Sequence, residues 1–242
     1  MLAFFDRVHA ILHEAEHKNA ETIERCAHDV ADSLASGGIL HTFGTGHGHM
    51  LAEEIFYRAG CLVPVNAILD PTLMLHESAL SSSRAERLAG YAEVVLSRYQ
   101  VEPGEVIIIA SNSGRNAVPI EMALTAKNRG LKVVAITSLM HAESQPSRHA
   151  SGKRLHELAD YVFDNCGIVG DAALSVAGVS ENIGPTSTIV GAALLHALLA
   201  ATIEKLVERD IDPPIFRSAN VGQGDDVNAR WIERYRGRLR HL

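Results

Sequence analysis

Cysteine is scarce in this chain. Cys26, Cys61 and Cys166 are its three, scattered and odd in number, with no CxxC pair. No disulfide framework follows from such a set, and the thiols read as small apolar groups in a reducing compartment. Basic charge is also short: 22 Lys and Arg stand against 29 Asp and Glu, a formal net charge of −7. That argues against a general nucleic-acid or anionic-membrane surface. The N-terminal stretch has no signal-peptide layout, because charges interrupt it at helical intervals. Only one long apolar run occurs, STIVGAALLHALLAATI after Pro185, and it carries Thr188, His196 and Thr202. It reads as a buried core helix rather than a membrane span. These absences place the protein in the cytoplasm. Internal repeats, low-complexity tracts and splitting linkers are absent too, so residues 1–242 read as one domain.

With 47% hydrophobic and 21% charged residues over 242 positions, the chain can bury a sizeable core. Apolar positions from Phe4 to Leu34 recur at helical spacing and predict a helix over 2–35, stopped at Ser36-Gly37-Gly38. A strand is predicted at about 39–43, a helix from the following turn to about Ala59, and a second strand from Cys61 to Ala67. Residues 70–100 read as a loop running into a helix. PGEVIIIASNSGRNAVPIEMALTAKNRGLKVVAITS then gives a clear pattern of buried strand, polar turn, amphipathic helix, glycine stop and buried strand. Another strand falls at 161–163, a long helix at about Thr186 to Arg209, and a loop and amphipathic helix at 211–242. Strands alternating with helices predict a doubly wound parallel α/β sheet, flavodoxin-like, with a core at about 38–209. The two end helices have no strand partners in this pattern. They are expected across one end of the sheet or against a second subunit.

In such sheets ligands bind where the strands end carboxyl-terminally. The first strand is followed by HTFGTGHGHM, a glycine-rich turn that lacks the Lys-Ser/Thr of a P-loop and the glycine spacing of a dinucleotide fold. The strand at 106–110 is followed by SNSGRN, Ser111 to Asn116. Its two hydroxyls, amide and free N–H groups at a helix start suit a phosphate dianion. The plainer alternative is helix capping by Ser113, with Asn116 as a turn residue. The strand at 133–136 leads into Thr137 and Ser138.

The G-x-G turn after the first strand and the S-x-S-G turn after a later one resemble the sugar isomerase (SIS) domain. The similarity covers about Gly38 to Arg209, and GPTSTIVGAALLHAL is similar to a helix start in arabinose-5-phosphate isomerases. This resemblance implies a cytoplasmic, cofactor-free enzyme that binds a sugar phosphate, works as a homodimer or homotetramer, and touches neither nucleic acid nor membrane. It implies an aldose–ketose isomerase acting through an enediol. The alternatives are a phosphosugar lyase or etherase, or a non-catalytic sugar-phosphate sensor.

The resemblance also suggests roles. Gly44, Thr45, Gly46 and Gly48 would lie beside sugar and phosphate, Ser111, Asn112, Ser113 and Asn116 would hold the phosphate, and Thr137, Ser138, Thr186 and Ser187 would line the pocket. Gly48 stands where many relatives carry serine, with room expected for that hydroxyl. His47 stands where some carry lysine. His49 reads as a partly exposed residue near the helix start. For proton transfer the candidates are Glu54 (with Arg58 four residues on as its possible surface partner) and His76 beside Glu77. Related isomerases bring a catalytic histidine from the loop where this chain has Ser218-Ala219-Asn220, which leaves Asn220 to position substrate hydroxyls. Some heptose phosphate isomerases bind zinc through a histidine at the place of Glu54, so zinc is a lesser alternative to no metal. His9, His13 and His17 read as a polar helix face.

Overall fold

A computed structural model describes residues 2–220, 222 and 224–242. Five parallel strands make the central sheet: β1 (Leu40–Gly44), β2 (Val65–Ile68), β3 (Val106–Ala110), β4 (Lys132–Thr137) and β5 (Tyr161–Asp164). Their order is β2-β1-β3-β4-β5, the flavodoxin-like arrangement, in which strand order reverses between β1 and β3. The β1–β3 register runs from Leu40 opposite Val106 to Gly44 opposite Ala110, so both strands deliver their following turns to one crevice.

Side chains alternate across the sheet as the period of two requires. Val106, Ile108 and Ala110 join the core under helices α1 (Leu2–Ala35), α2 (Gly48–Glu54) and α7 (Ser187–Val207). Ile107 and Ile109 join the opposite core, under α3 (Ala79–Ala85), α4 (Tyr91–Leu96) and α5 (Ala117–Asn128). Burial on both faces is why these strands are continuously apolar rather than alternating. Helix α7 is long and apolar enough to cross a membrane by length and composition, yet half of its most apolar stretch is buried, and it packs against α1 and α2.

Several boundaries differ from the sequence reading. Helix α2 ends at Glu54, not near Ala59, and Tyr57 beyond it has φ of 49°. The second strand begins at Val65. The segment before it instead carries an antiparallel bridge from Leu62 to Ile215. Residues 70–100 hold α3 and α4, separated at Gly90, rather than one helix. A short α6 (Leu139–Glu143) and a hairpin of β6 (Ala172–Leu174) with β7 (Ile183–Pro185) carried no periodic signal. The first helix lies along α7 on a sheet face. The last, α8 (Gly224–Tyr235), packs Tyr235 against Ile39 and Val63 beside the amino ends of β1 and β2. Near that end Arg238 bonds Glu105 (2.6 Å), which also pairs with buried His41 at 2.8 Å. Burial pushes the Glu105 carboxyl pKa up, but bonds from His41 and the Glu102 N–H outweigh it, and the pKa lies below the ordinary value.

Candidate functional site

A cavity of about 360 Å³ opens at the carboxyl ends of β1 and β3. Thr45, His47, Gly48 and Leu51 reach it from the first turn and α2. Ser111, Asn112, Ser113 and Asn116 come from the second turn, and Ser187 and Thr188 from the start of α7. The sequence placed most of these together without knowing their distances. Glu86, His141, Asn165 and Asp171 also line the cavity, and sequence reasoning missed all four.

The second turn is built to leave donors open. Asn116 is the residue at the N-terminus of α5 and makes no side-chain capping bond, and Ser113 does not cap the helix either. The Ser111 hydroxyl accepts from the Gly114 N–H at 3.2 Å. The N–H groups of Asn112, Ser113 and Arg115 have no acceptor among the described residues. Thus the turn presents the Ser113 hydroxyl and several amides beside the positive end of a three-turn helix, an arrangement favourable to an anion. Its base is rigid. The Asn112 carbonyl accepts from the Ser138 N–H (3.2 Å) and the Thr137 hydroxyl (3.1 Å), while the Asn112 amide oxygen accepts from Asn165 at 2.9 Å.

That role differs from the one expected for Thr137 and Ser138. Both are fully buried behind the turn, and the Ser138 hydroxyl accepts from the His141 N–H and donates to the Gly167 carbonyl. Thr186 is likewise buried, outside the cavity lining. The start of α7 is capped by Asp171, which accepts from the N–H groups of Thr186 and Ser187 and from the Ser187 hydroxyl. Glu181 is exposed and takes no part in that cap.

The first turn is a packing device. A Cβ on Gly44 would sit 2.2 Å from the Gly48 carbonyl oxygen, and one on Gly48 would sit 2.4 Å from the Ala110 carbonyl oxygen. The room expected for a serine at position 48 is therefore absent: α2 approaches β3 backbone to backbone there. Thr45 donates its hydroxyl to Glu86 at 3.0 Å. The Gly46 N–H is used by the Leu73 carbonyl. His47 is exposed at the cavity mouth, whereas His49, expected near the surface, is only 2% exposed. Burial pushes the His49 pKa below its ordinary value, against the opposing pull of Glu53.

The structure does not bring the other candidates into the cavity. Glu54 ends α2 and faces away, pairing with His196 (3.0 Å) and Arg58 (3.3 Å). His76 is exposed beside Glu77 at 3.7 Å and borders a separate cleft shared with His49 and Glu53. Asn220 is exposed, its N–H directed to the Ser218 hydroxyl at 3.3 Å. Val221 and Gln223 of the same loop lie outside the described residues. On α1, His13 and His17 contact each other at 3.0 Å on an exposed face. Among the described residues no group of three or more His, Cys, Asp or Glu is placed to hold a metal ion.

Comparison with known proteins agrees with this architecture. The UPF0309 protein of Geobacillus thermodenitrificans is 44% identical over 98% of this chain and 95% of its own. A UPF0309 protein of Listeria innocua is 41% identical over 98% and 96%. Among solved structures, the phosphoheptose isomerase GmhA from Neisseria gonorrhoeae shares the fold at 17% identity and a TM-score of 0.55, over 84% of this chain and 96% of that one. A phosphoheptose isomerase from Francisella tularensis gives 14% and 0.54, over 84% and 95%. The SIS domain model matches residues 3–138, which include β1, β3 and β4 and both turns of the cavity. With that match and this sheet order, the chain belongs to the SIS domain family.

Proposed function

We propose that the protein binds a sugar phosphate and interconverts its aldose and ketose forms through an enediol. The observation that carries this reading is the Ser111–Asn116 turn. Its Ser113 hydroxyl and open amides face a polar cavity of about 360 Å³ at the reversal point of the sheet. That volume lies in the range of small-ligand sites. A phosphate fixed there would leave the sugar carbons toward Thr45, His47 and α7. Remote binding energy then serves to orient the reacting carbons. The family match and the phosphosugar isomerases that share the fold support the same reading. Two carboxylates and two histidines in the cavity favour catalysis over sensing, since a sensor needs only to bind.

The setting follows from the same features. Three buried free thiols fit a reducing cytoplasm. A cleft of about 830 Å³ between α1 and α7, lined by Leu12, Ile23, Ala193, Leu194 and Ala197, fits pairing with a second copy. The test is a screen of glucose 6-phosphate, arabinose 5-phosphate and sedoheptulose 7-phosphate. It reads thermal stabilisation, then exchange of the proton beside the carbonyl with deuterated solvent by NMR. Stabilisation with exchange supports an isomerase, and stabilisation without exchange by any of them retires catalysis.

A further inference from the structure

We infer that Glu86 is the base that moves the proton between the two sugar carbons, an inference that rests on the isomerase reading above. Glu86 follows α3 and lines the same cavity as the Ser111–Asn116 turn. Glu54, the base expected from the sequence, does not line it. Among the described residues only two carboxylates do, and the other, Asp171, is committed to capping α7 through three hydrogen bonds. Glu86 is therefore the carboxylate left for proton transfer.

Its setting holds it in one orientation. One oxygen accepts from the Thr45 hydroxyl at 3.0 Å and the other from the Asn116 amide at 2.7 Å. Arg148 donates to the Asn116 amide oxygen at 2.9 Å, which fixes that amide with its NH₂ toward Glu86. The Glu86 carbonyl also accepts from the Val118 N–H at 3.0 Å, tying the end of α3 to α5. Each carboxylate oxygen has two lone-pair sites. One donor on each leaves a lone pair on each for a substrate proton, so the group is clamped without being saturated. The clamp comes from both turns of the site, which couples the base to the phosphate anchor.

His141 supplies the partner chemistry. Its Nδ1 lies 3.2 Å from the Gly170 N–H, which can only donate. The neutral ring therefore carries its proton on Nε2. In the aldose-to-ketose direction Glu86 takes the C2 proton, and the C–H electron pair becomes the C1=C2 bond of the enediol. The aldehyde oxygen takes the Nε2 proton, and the C2 hydroxyl returns one to that nitrogen. Glu86 then delivers its proton to C1. All protons are returned and no co-reactant is needed. Arg148 bonds Asn116 and is a positioning residue.

The experiment measures carbon-proton exchange in deuterated buffer with the three sugar phosphates named above, alongside their thermal stabilisation of the protein. Glu86→Gln should lower exchange by ~10²–10⁴-fold, the usual contribution of a general base, while stabilisation persists. Glu86→Asp keeps the charge and pulls the carboxylate back by one methylene. It should still be stabilised by sugar phosphate, yet exchange at least ~10-fold more slowly, as misplacement of a general base predicts. His141→Ala should slow exchange as well, and an unchanged rate removes His141 from the pair. Exchange at the wild-type rate in Glu86→Gln or in Glu86→Asp overturns the assignment while leaving the isomerase reading intact. Stabilisation without exchange in the wild type overturns both together, which separates the two failures.

Discussion

Two turns leave the sheet side by side, and they use small residues for different ends. The turn after β1 is rich in glycine because backbone must meet backbone: Gly44 against Gly48, and Gly48 against Ala110. Little of it is free to bind anything. The turn after β3 contains one glycine among polar residues, and its amides and the Ser113 hydroxyl remain open at the start of α5. Glycine density therefore marks close packing here, and the combination of hydroxyls with unspent N–H groups marks the turn proposed to hold phosphate. The first turn still serves the second indirectly, since Thr45 holds Glu86 beside it.

The comparison breaks most severely at Gly48. Gly48→Ser puts a Cβ into the Ala110 carbonyl, and neither backbone can move without disturbing β1 or β3. Overpacking of this kind costs about 3 kcal/mol or more. Chemical denaturation should show that loss without any gain in sugar-phosphate affinity. A stable Gly48→Ser protein that binds more tightly would show that the first turn has room for a ligand-facing hydroxyl.

A milder effect is expected on the outer side of the same turn. Buried His49 has a pKa lowered by burial, so the unfolded chain holds more protons than the folded one once pH falls through the ordinary histidine range. Its contribution is complete above that range and is lost as pH drops toward the folded-state value. The melting temperature of wild type should fall relative to that of His49→Met as pH drops from 8 to 5. Parallel curves would mean that His49 is not a source of acid sensitivity.

The smallest effect belongs to Glu54. It makes partly exposed pairs with His196 and Arg58 and stands outside the cavity. Glu54→Gln should change stability by no more than about 1 kcal/mol. Carbon-proton exchange should stay near the wild-type rate. Loss of exchange would return the base to α2.

The parts legible in sequence are those governed by periodicity. Continuous runs such as Val106–Ala110 and Val133–Ile136 could only be buried parallel strands, and the polar turns leaving them had to sit at one sheet edge. Ser111 and Ser113 were found this way, whereas Ser187 came from the family resemblance of the α7 start. Glu86 was not, because SSSRAERLAG looks like the end of any surface helix. Its carboxylate reaches the cavity only through the way α3 and α4 fold over the sheet. Asp171 and His141 were hidden for the same reason: each stands in a short segment without periodic signal, whose position is set by tertiary contacts. Glu54 was expected to reach the substrate from one to two turns into the helix after the first turn. The helix stops at Glu54 and turns that side chain toward α7. Gly48 was misread because a glycine held by close approach looks, in sequence, the same as a missing hydroxyl.

The central claim is that phosphate is held at the Ser111–Asn116 turn. Its most direct test is calorimetric titration of wild type and the Ser111→Ala/Ser113→Ala double variant with a sugar phosphate that stabilises the protein, and with the same sugar unphosphorylated. Hydrogen bonds to a charged group contribute about 1.5–3 kcal/mol. The double variant should therefore bind the sugar phosphate roughly 10–150-fold more weakly, and the unphosphorylated sugar should bind poorly to both proteins. Equal affinity of the wild type for sugar and sugar phosphate, or full affinity in the double variant, would contradict it.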